Sequence, residues 1–500
     1  MRYLLGVDFG GGSSKATVLD ETGTVVATTA EEYPMIYPSA GWAEQDVEAL
    51  YQAFLTNVKA VLAKAAVPPE DIVAMAVDGA THIAVLLDED LKPIRPAIHW
   101  TDSRSWEEAG DLQVYKDEFL EHCYNSPSVA WTLPQLIWLR KHEPENYTRI
   151  HKIIYLKDYI RHRVTGDLFT DFIEIQGSLF YDELAGDYSD RYLALAGLTR
   201  EQMPELKAPG DIAGTPLPAF CEATGLSPNM VVAVGATDTV MEIFAAGSAA
   251  LGNTTIKLAT AGRICPITDK AYPDPNLFTY RHIIPGYWYP GTGTKSCAYS
   301  LRWYRDALSP FEMEEAERTG RSAFDLIGDA AATVPAGSDR LFFHPYLQGE
   351  ATPYQNPKLR ASFTGVSSYH TKAHFNRAVM EGVAYSLKDC MQVLEGLEIP
   401  MDETFRIIGG GSKSALWRQI VSDVLDRPLR RVRSDDSSIG SAMLAGVVSG
   451  VFGSWIEAVE VCSQMEDVVY PNKENRAVYE ENFAIYKEIQ QAMEKIYSHW

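Results

Sequence analysis

Short apolar runs separated by turn residues open the chain. Residues 3–8 and 16–20 and a β-branched run from Thr24 are parted by a glycine-rich bend and by Glu21-Thr22-Gly23, a spacing that predicts a small antiparallel meander. Residues 72–77 and 83–87 read as further strands, while residues 46–65 carry helical spacing in Val47, Leu50, Phe54, Val58 and Val61. Strands mixed with helices indicate an α/β fold. In the second half, residues 251–258 read as another strand-turn-strand with Gly and Thr at its bend, a weak echo of the opening turn. A long amphipathic helix follows over 372–394, with Phe375, Val379, Val383 and Leu387 stepping by four. A strand at 405–408 then feeds a glycine triplet and a helix over 415–425, and residues 475–497 form a last, surface helix. The repeated turn alone sets the division, with halves at 1–247 and 248–500.

Five hundred residues of ordinary apolar content suit about two or three domains. The net charge of −23 argues against nucleic acid and against a membrane surface, because both demand clustered Lys and Arg. An anionic nucleotide would have to be held by backbone N–H groups and a divalent cation. The six cysteines are scattered without a C-x-x-C pair or zinc spacing, so they read as reduced structural thiols. No secretory signal follows Met1, which predicts a cytoplasmic protein. The weakly polar stretch 439–455 contains four glycines and falls short of the roughly 20 residues of a membrane span, so it reads as a buried helix and turn.

Three segments carry candidate chemistry. Asp8-Phe9-Gly10-Gly11-Gly12-Ser13-Ser14-Lys15 puts a carboxylate at a strand end, followed by bare backbone, two hydroxyls and a cation, a set able to hold a metal and wrap phosphate oxygens. It is neither a Walker A loop nor the G-x-G-x-x-G of dinucleotide folds, so ATP chemistry here needs another scaffold. Gly409-Gly410-Gly411-Ser412 lets a purine or a phosphate approach backbone, or else serves close helix–sheet packing. Asp238 follows a buried strand and Gly235, a position for a ligand-facing carboxylate or for a helix N-cap.

A longer pattern adds to these. Ala361-Ser362-Phe363-Thr364-Gly365-Val366, followed by His374-Phe375 and Ala378-Val379-Met380-Glu381, is similar to the C-terminal signature of the FGGY carbohydrate kinases. The Asp8 turn, Trp100-Thr101-Asp102-Ser103-Arg104, Gly235 to Asp238, Pro345 to Glu350 and the Gly409 triplet occur in that family's order, so the resemblance spans nearly the whole chain. It implies two ribonuclease-H-like domains flanking a cleft, as in actin, hexokinase and the heat-shock chaperone ATPases. It also implies phosphorylation of a sugar hydroxyl by MgATP. Carried over by position, Asp238 looks like the general base and Asp8 the carboxylate that holds Mg2+ through water. Gly12, Ser13, Ser14 and Lys15 would face the γ-phosphate, Gly252, Asn253, Thr254 and Thr255 would be the second phosphate loop, and Gly410, Gly411 and Ser412 would line the adenosine. Asp78, His82, Asp102 and Arg104 would join Asp238 at the sugar.

The overall pattern resembles the xylulose kinase group most, so D-xylulose is the expected acceptor. Where that group reads Ser-Gly-Gln-Met-His, however, this chain has Asp78-Gly79-Ala80-Thr81-His82, which leaves gluconate, ribulose, other ketoses or polyols and glycerol open. A non-catalytic sugar-sensing ATPase on the same fold is the rival reading, and retention of Asp8 and Asp238 speaks against it. The expected partners are a small sugar and MgATP, with a homodimer an open alternative.

Overall fold

The computed structural model describes residues 1–433 and 436–499. Two mixed sheets are built on one plan. In the first, β1 (Tyr3–Phe9), β2 (Ser13–Asp20) and β3 (Val25–Glu32) form the expected antiparallel meander. Strand β4 (Ile72–Gly79) adds parallel to β1. On its far side come β5 (Ile212–Gly214) and β6 (Val231–Ala233), giving the order β5-β6-β4-β1-β2-β3. In the second sheet the meander is β7 (Thr254–Leu258), β8 (Gly262–Pro266) and β10 (Trp288–Thr294), with β9 (Phe278–Arg281) beyond it. Strands β11 (Phe405–Ile408) and β12 (Leu429–Val432) add parallel to β7, and β13 (Met465–Val469) closes the edge antiparallel. Both sheets therefore run meander strands three-two-one and then two parallel strands, the paired α/β arrangement that the resemblance implied.

Helix α1 (Val47–Ala65) covers the first meander, and its N-terminus is capped by Asp46, which accepts from the N–H of Glu48 at 3.0 Å. The buried face is Val47, Leu50, Phe54, Val58 and Val61, the positions that the spacing marks. Two helices lie between the sheets: α2 (Asp238–Ala245), and, further along the chain, α5 (Ser437–Val448). Helices α3 (Lys372–Gly396) and α4 (Ala415–Leu425) pack in the second half, and α6 (Arg476–Tyr497) ends the chain. Although α5 comes late in sequence, it packs on β1, β4 and α2 of the first half. A Cβ at Gly6 would run into the carbonyl of Ser438, and one at Gly440 into that of Met241, so both glycines are needed for this approach. Stretch 439–455 is thus a buried helix and turn, as expected. Five of the six cysteines are buried, and all six are free thiols. Among the described residues no helix is long and apolar enough to cross a membrane.

One expectation fails here. Residues 251–258 do not form strand-turn-strand: 251–253 are the turn that leads into β7, and the bend matching that of β1–β2 is 259–261, between β7 and β8. Gly252 and Asn253 misled because they are turn-formers just before a strand.

Candidate active site

Asp8 lies at the open end of β1, opposite Lys15 on β2 and Asp78 on β4. Cβ atoms added at Gly10 and Gly12 would meet, respectively, only the Ser13 carbonyl at 3.6 Å and nothing within 4 Å, so the turn's backbone faces open space. The hydroxyl of Ser14 turns inward and accepts from Asn57 Nδ2 at 3.2 Å. Lys15 pairs with Asp436, the N-cap of α5, whose other oxygen accepts from the Ser438 N–H at 3.0 Å. Burial, above all, pushes the Asp8 carboxyl up to about 7, with the charges of Asp436, Asp238 and Glu242 adding to it against a hydrogen bond from Asp78. Asp78 is wholly buried beside it and accepts from the Ser441 hydroxyl, and burial, above all, with the Asp8 charge pushes its carboxyl well up. Like charges on adjacent strand ends disfavour ionisation of both carboxyls.

Asp238 begins α2. The preceding turn needs Gly235, with φ 86°, because a Cβ there would strike the Val77 carbonyl of β4. The Asp238 carboxylate accepts from the hydroxyl of Thr239 at 3.1 Å. One turn on, Glu242 pairs with Lys257 of β7. Burial opposes the lysine's charge, yet the Glu242 and Asp238 carboxylates raise its pKa.

The glycine triplet sits at the other edge of this region. Gly409 has φ 90°, and its Cβ would lie 2.8 Å from the Leu258 carbonyl, while a Cβ at Gly411 would lie 2.7 Å from the Leu258 side chain. Gly410 is exposed, and the Ser412 hydroxyl donates to the Gly409 carbonyl at 2.7 Å. The triplet therefore abuts the C-terminal end of β7 and turn 259–261. The structure does not bring Gly252, Asn253, Thr254 and Thr255 there. They occupy the start of β7 and the turn before it, about 10–20 Å from Leu258 at strand rise. Asn253 Oδ1 accepts from the N–H groups of Ala249 at 3.2 Å and Ala250 at 3.1 Å, and its amide donates to Asp402 at 3.3 Å. The Thr254 hydroxyl donates to Gly252 and that of Thr255 meets Ser248, so all four residues fasten a turn.

On the sugar side the expected residues are enclosed. Asp102 and Arg104 side chains are 1% and 0% exposed. They form a bidentate pair, with Arg104 also on Glu44 at 2.7 Å and over the Trp42 ring at 3.9 Å. His82 stands in the left-handed region at φ 62°, with its N–H donating to Glu174 Oε1 at 2.8 Å. Its Nδ1–H donates to the Glu174 carbonyl at 2.8 Å, and Nε2 accepts from the Tyr280 hydroxyl at 3.0 Å. His82 thus meets the second half through a ring that stacks on it. Asp436, Glu242, Lys257, Arg263, Tyr280 and turn 259–261 were not foreseen from sequence. Lys257, a lone charge in an apolar strand, and Glu242, four residues after Asp238, were the available signals.

A carboxylate pair at one strand end, a third carboxylate at a helix start, an open glycine turn from the first sheet and an exposed Gly410 from the second suit phosphoryl transfer. The patterns of the N-terminal and C-terminal domains of the FGGY family of carbohydrate kinases match residues 3–245 and 250–449. The chain belongs to this family. It is an ATP-dependent sugar kinase, with a small sugar and a nucleotide as substrates and a divalent metal as the family's usual companion. The FGGY member from Escherichia coli K12, a xylulose kinase, is 30% identical over 493 residues, covering 98% of this chain and 99% of that one. A gluconokinase of Bacillus subtilis is 30% identical over 455 residues, covering 89% of this chain and 87% of that one. Among solved structures, the xylulose kinase from Rhodospirillum rubrum superposes with a TM-score of 0.91 at 26% identity, covering 99% and 100% of the two chains.

Proposed function

We propose that this kinase transfers the γ-phosphoryl group of MgATP to a hydroxyl of an open-chain sugar held over Asp238, with D-xylulose the first acceptor to test. The observation that carries the reading is the convergence of Asp8 at the end of β1, Asp238 just past the bridge between Gly79 of β4 and Thr237, and Glu242 one turn further along α2. Asp238 accepts the hydroxyl proton as the oxygen bonds to phosphorus, and the bond to the bridging oxygen breaks with its electron pair leaving on ADP. Gly12, Ser13 and Lys15 face the phosphates from the first hairpin, turn 259–261 does so from the second, and Gly410 and Gly411 line the adenosine. Mg2+ is commonly held by one or two carboxylates plus substrate phosphates, and Asp8 fits, because its ionised form is strained by neighbouring negative charge that a cation would relieve. His82, Asp102 and Arg104 act as positioning groups behind the sugar, and Asp78 sets the charge of Asp8. The sugar side falls to the first half and the nucleotide side to the second, in the cytoplasm where ATP is made and used.

The relatives' names supply two acceptor classes, a neutral ketose and a sugar acid. The second is favoured by one observation, the guanidinium of Arg263, which has no hydrogen-bond acceptor among the described residues. A coupled ADP-release screen over ketoses, polyols and aldonates tests the reading. Acceptor-dependent ADP is expected; a flat response to every acceptor would sink it.

A further inference from the structure

Arg263, on β8, pairs in register with Lys257 of β7 on one side and Gly293 of β10 on the other. Alternation fixes its direction. Ile256, Leu258 and Ile264 are buried in the core beneath α3, so Lys257 and Arg263 lie on the opposite face of the sheet, towards α2. Side chains directly opposite on antiparallel strands have Cβ atoms about 4.5–5.5 Å apart, and like charges there repel. Lys257 is relieved by Glu242. Among the described residues nothing accepts a hydrogen bond from the Arg263 guanidinium, which lies over the Phe278 ring with Cζ 5.2 Å from its centroid. Gly293 makes room for this, since a Cβ there would already touch Phe278 at 3.4 Å.

The surroundings do not explain the cation. Burial opposes its charge most, and the groups that face it are Cys265, Tyr280, Tyr289 and Asp238, with Lys257 as its cross-strand neighbour. Tyr280 already donates to His82. A guanidinium offers five N–H donors and no acceptor, and at this half-buried position those of Arg263 reach solvent and are open to a ligand. Its fork matches a carboxylate, whose two oxygens accept in parallel. Its cross-strand neighbour Lys257 pairs with Glu242, one helical turn from Asp238, where the acceptor hydroxyl is held.

We propose that Arg263 is a specificity residue that pairs with a carboxylate on the acceptor, so that the enzyme prefers a sugar acid, an open-chain polyhydroxy carboxylate, over a neutral sugar of the same length. This rests on the kinase reading above and selects between its two acceptor classes. The hydroxyl that receives phosphate sits at Asp238 and the carboxylate sits at Arg263, taking no part in the bond changes.

The test compares an aldonate with the alditol of equal chain length, by calorimetry with ADP present and by steady-state turnover, on the wild type, Arg263→Gln and Arg263→Lys. The wild type should bind the aldonate at least about tenfold tighter. Arg263→Gln should weaken the aldonate by about 10- to 100-fold and erase the preference, acting on KM more than kcat. Arg263→Lys, which keeps the charge and loses the fork, should retain part of it. A cooperative melt checks that each variant folds. Equal affinity of the wild type for both compounds, including none for either, overturns the proposal. So does an equal weakening of both by Arg263→Gln, which would mean contact with neutral hydroxyls. A fall in kcat on every acceptor with the preference intact would assign Arg263 to the phosphoryl group and overturns it too. The kinase reading fails separately, by binding without phosphorylation of any acceptor.

Discussion

At the mouth of the first sheet the β1–β2 hairpin presents Asp8 beside a bare glycine turn, with Asp78 on the next strand. At the matching place in the second sheet the β7–β8 hairpin presents Lys257 and Arg263 beside an Ala259-Thr260-Ala261 turn. Strand order is shared, and the charge is reversed. The arrangement answers the problem that an acidic protein poses for an anionic substrate. The first hairpin supplies carboxylates for a cation, and the second supplies cations for anions, each within range of Asp238. Each hairpin also lends its lysine to the other half, Lys15 to Asp436 on α5 and Lys257 to Glu242 on α2. Their side chains are 20–38% exposed, so solvent screens part of the attraction in both crossed pairs.

The largest expected effect falls on the residue between the hairpins. Asp238→Asn keeps shape and hydrogen bonding but cannot take the acceptor proton, and kcat should fall by about 100- to 10,000-fold. ATP affinity, measured by calorimetry, should barely change, because neither hairpin is touched. Near-normal turnover from a folded variant would make Asp238 only the start of a helix.

The comparison also explains what the sequence revealed. The first hairpin was legible because glycine triplet, strand ends and carboxylate lie together within eight residues, and because α1 shows its buried face in its spacing. The second was misread because its turn is Ala-Thr-Ala, with no turn-former before Gly262, while a more conspicuous Gly-Asn-Thr stands at the wrong end of the strand. Asp436 and Glu242 were invisible for another reason: their partners lie 421 and 15 residues away, and only the placement of α5 and α2 between the sheets joins them. Burial of Asp102, Arg104 and His82 was likewise beyond a reading of motifs, since polar residue types alone suggest exposure.

A pH experiment sharpens the contrast on the acidic side. The folded pKa of Asp8, about 7, exceeds its ordinary value of 3.8, so its contribution to stability is complete below about pH 4 and is lost as pH rises through 7. The loss for Asp8 alone is at most about 4 kcal/mol. Asp78→Asn removes a second buried carboxyl whose pKa is pushed well up, and with it that group's own share of the pH dependence, while the amide can still donate to Asp8. The melting temperature of the wild type without ligands should therefore drop more between pH 5 and 8 than that of the variant. The difference is the readout, because the general acidic charge acts on both. Parallel pH profiles would show that Asp78 contributes nothing to the pH dependence.

The smallest effects decide which end of β7 meets the nucleotide. Ala261 is exposed in the turn beside the glycine triplet, so Ala261→Glu sets a negative charge against the phosphates and should raise KM for ATP about tenfold, more at low salt. Asn253 sits at the other end of the strand, where it ties Ala249, Ala250 and Asp402 together. Asn253→Ala should cost about 1–2 kcal/mol of stability and leave KM for ATP within about twofold. The two readouts separate cleanly, since one variant changes binding without stability and the other stability without binding. If Asn253→Ala instead impaired ATP binding while Ala261→Glu did not, the nucleotide would approach the start of β7. The shared plan of the two sheets would then not extend to their use.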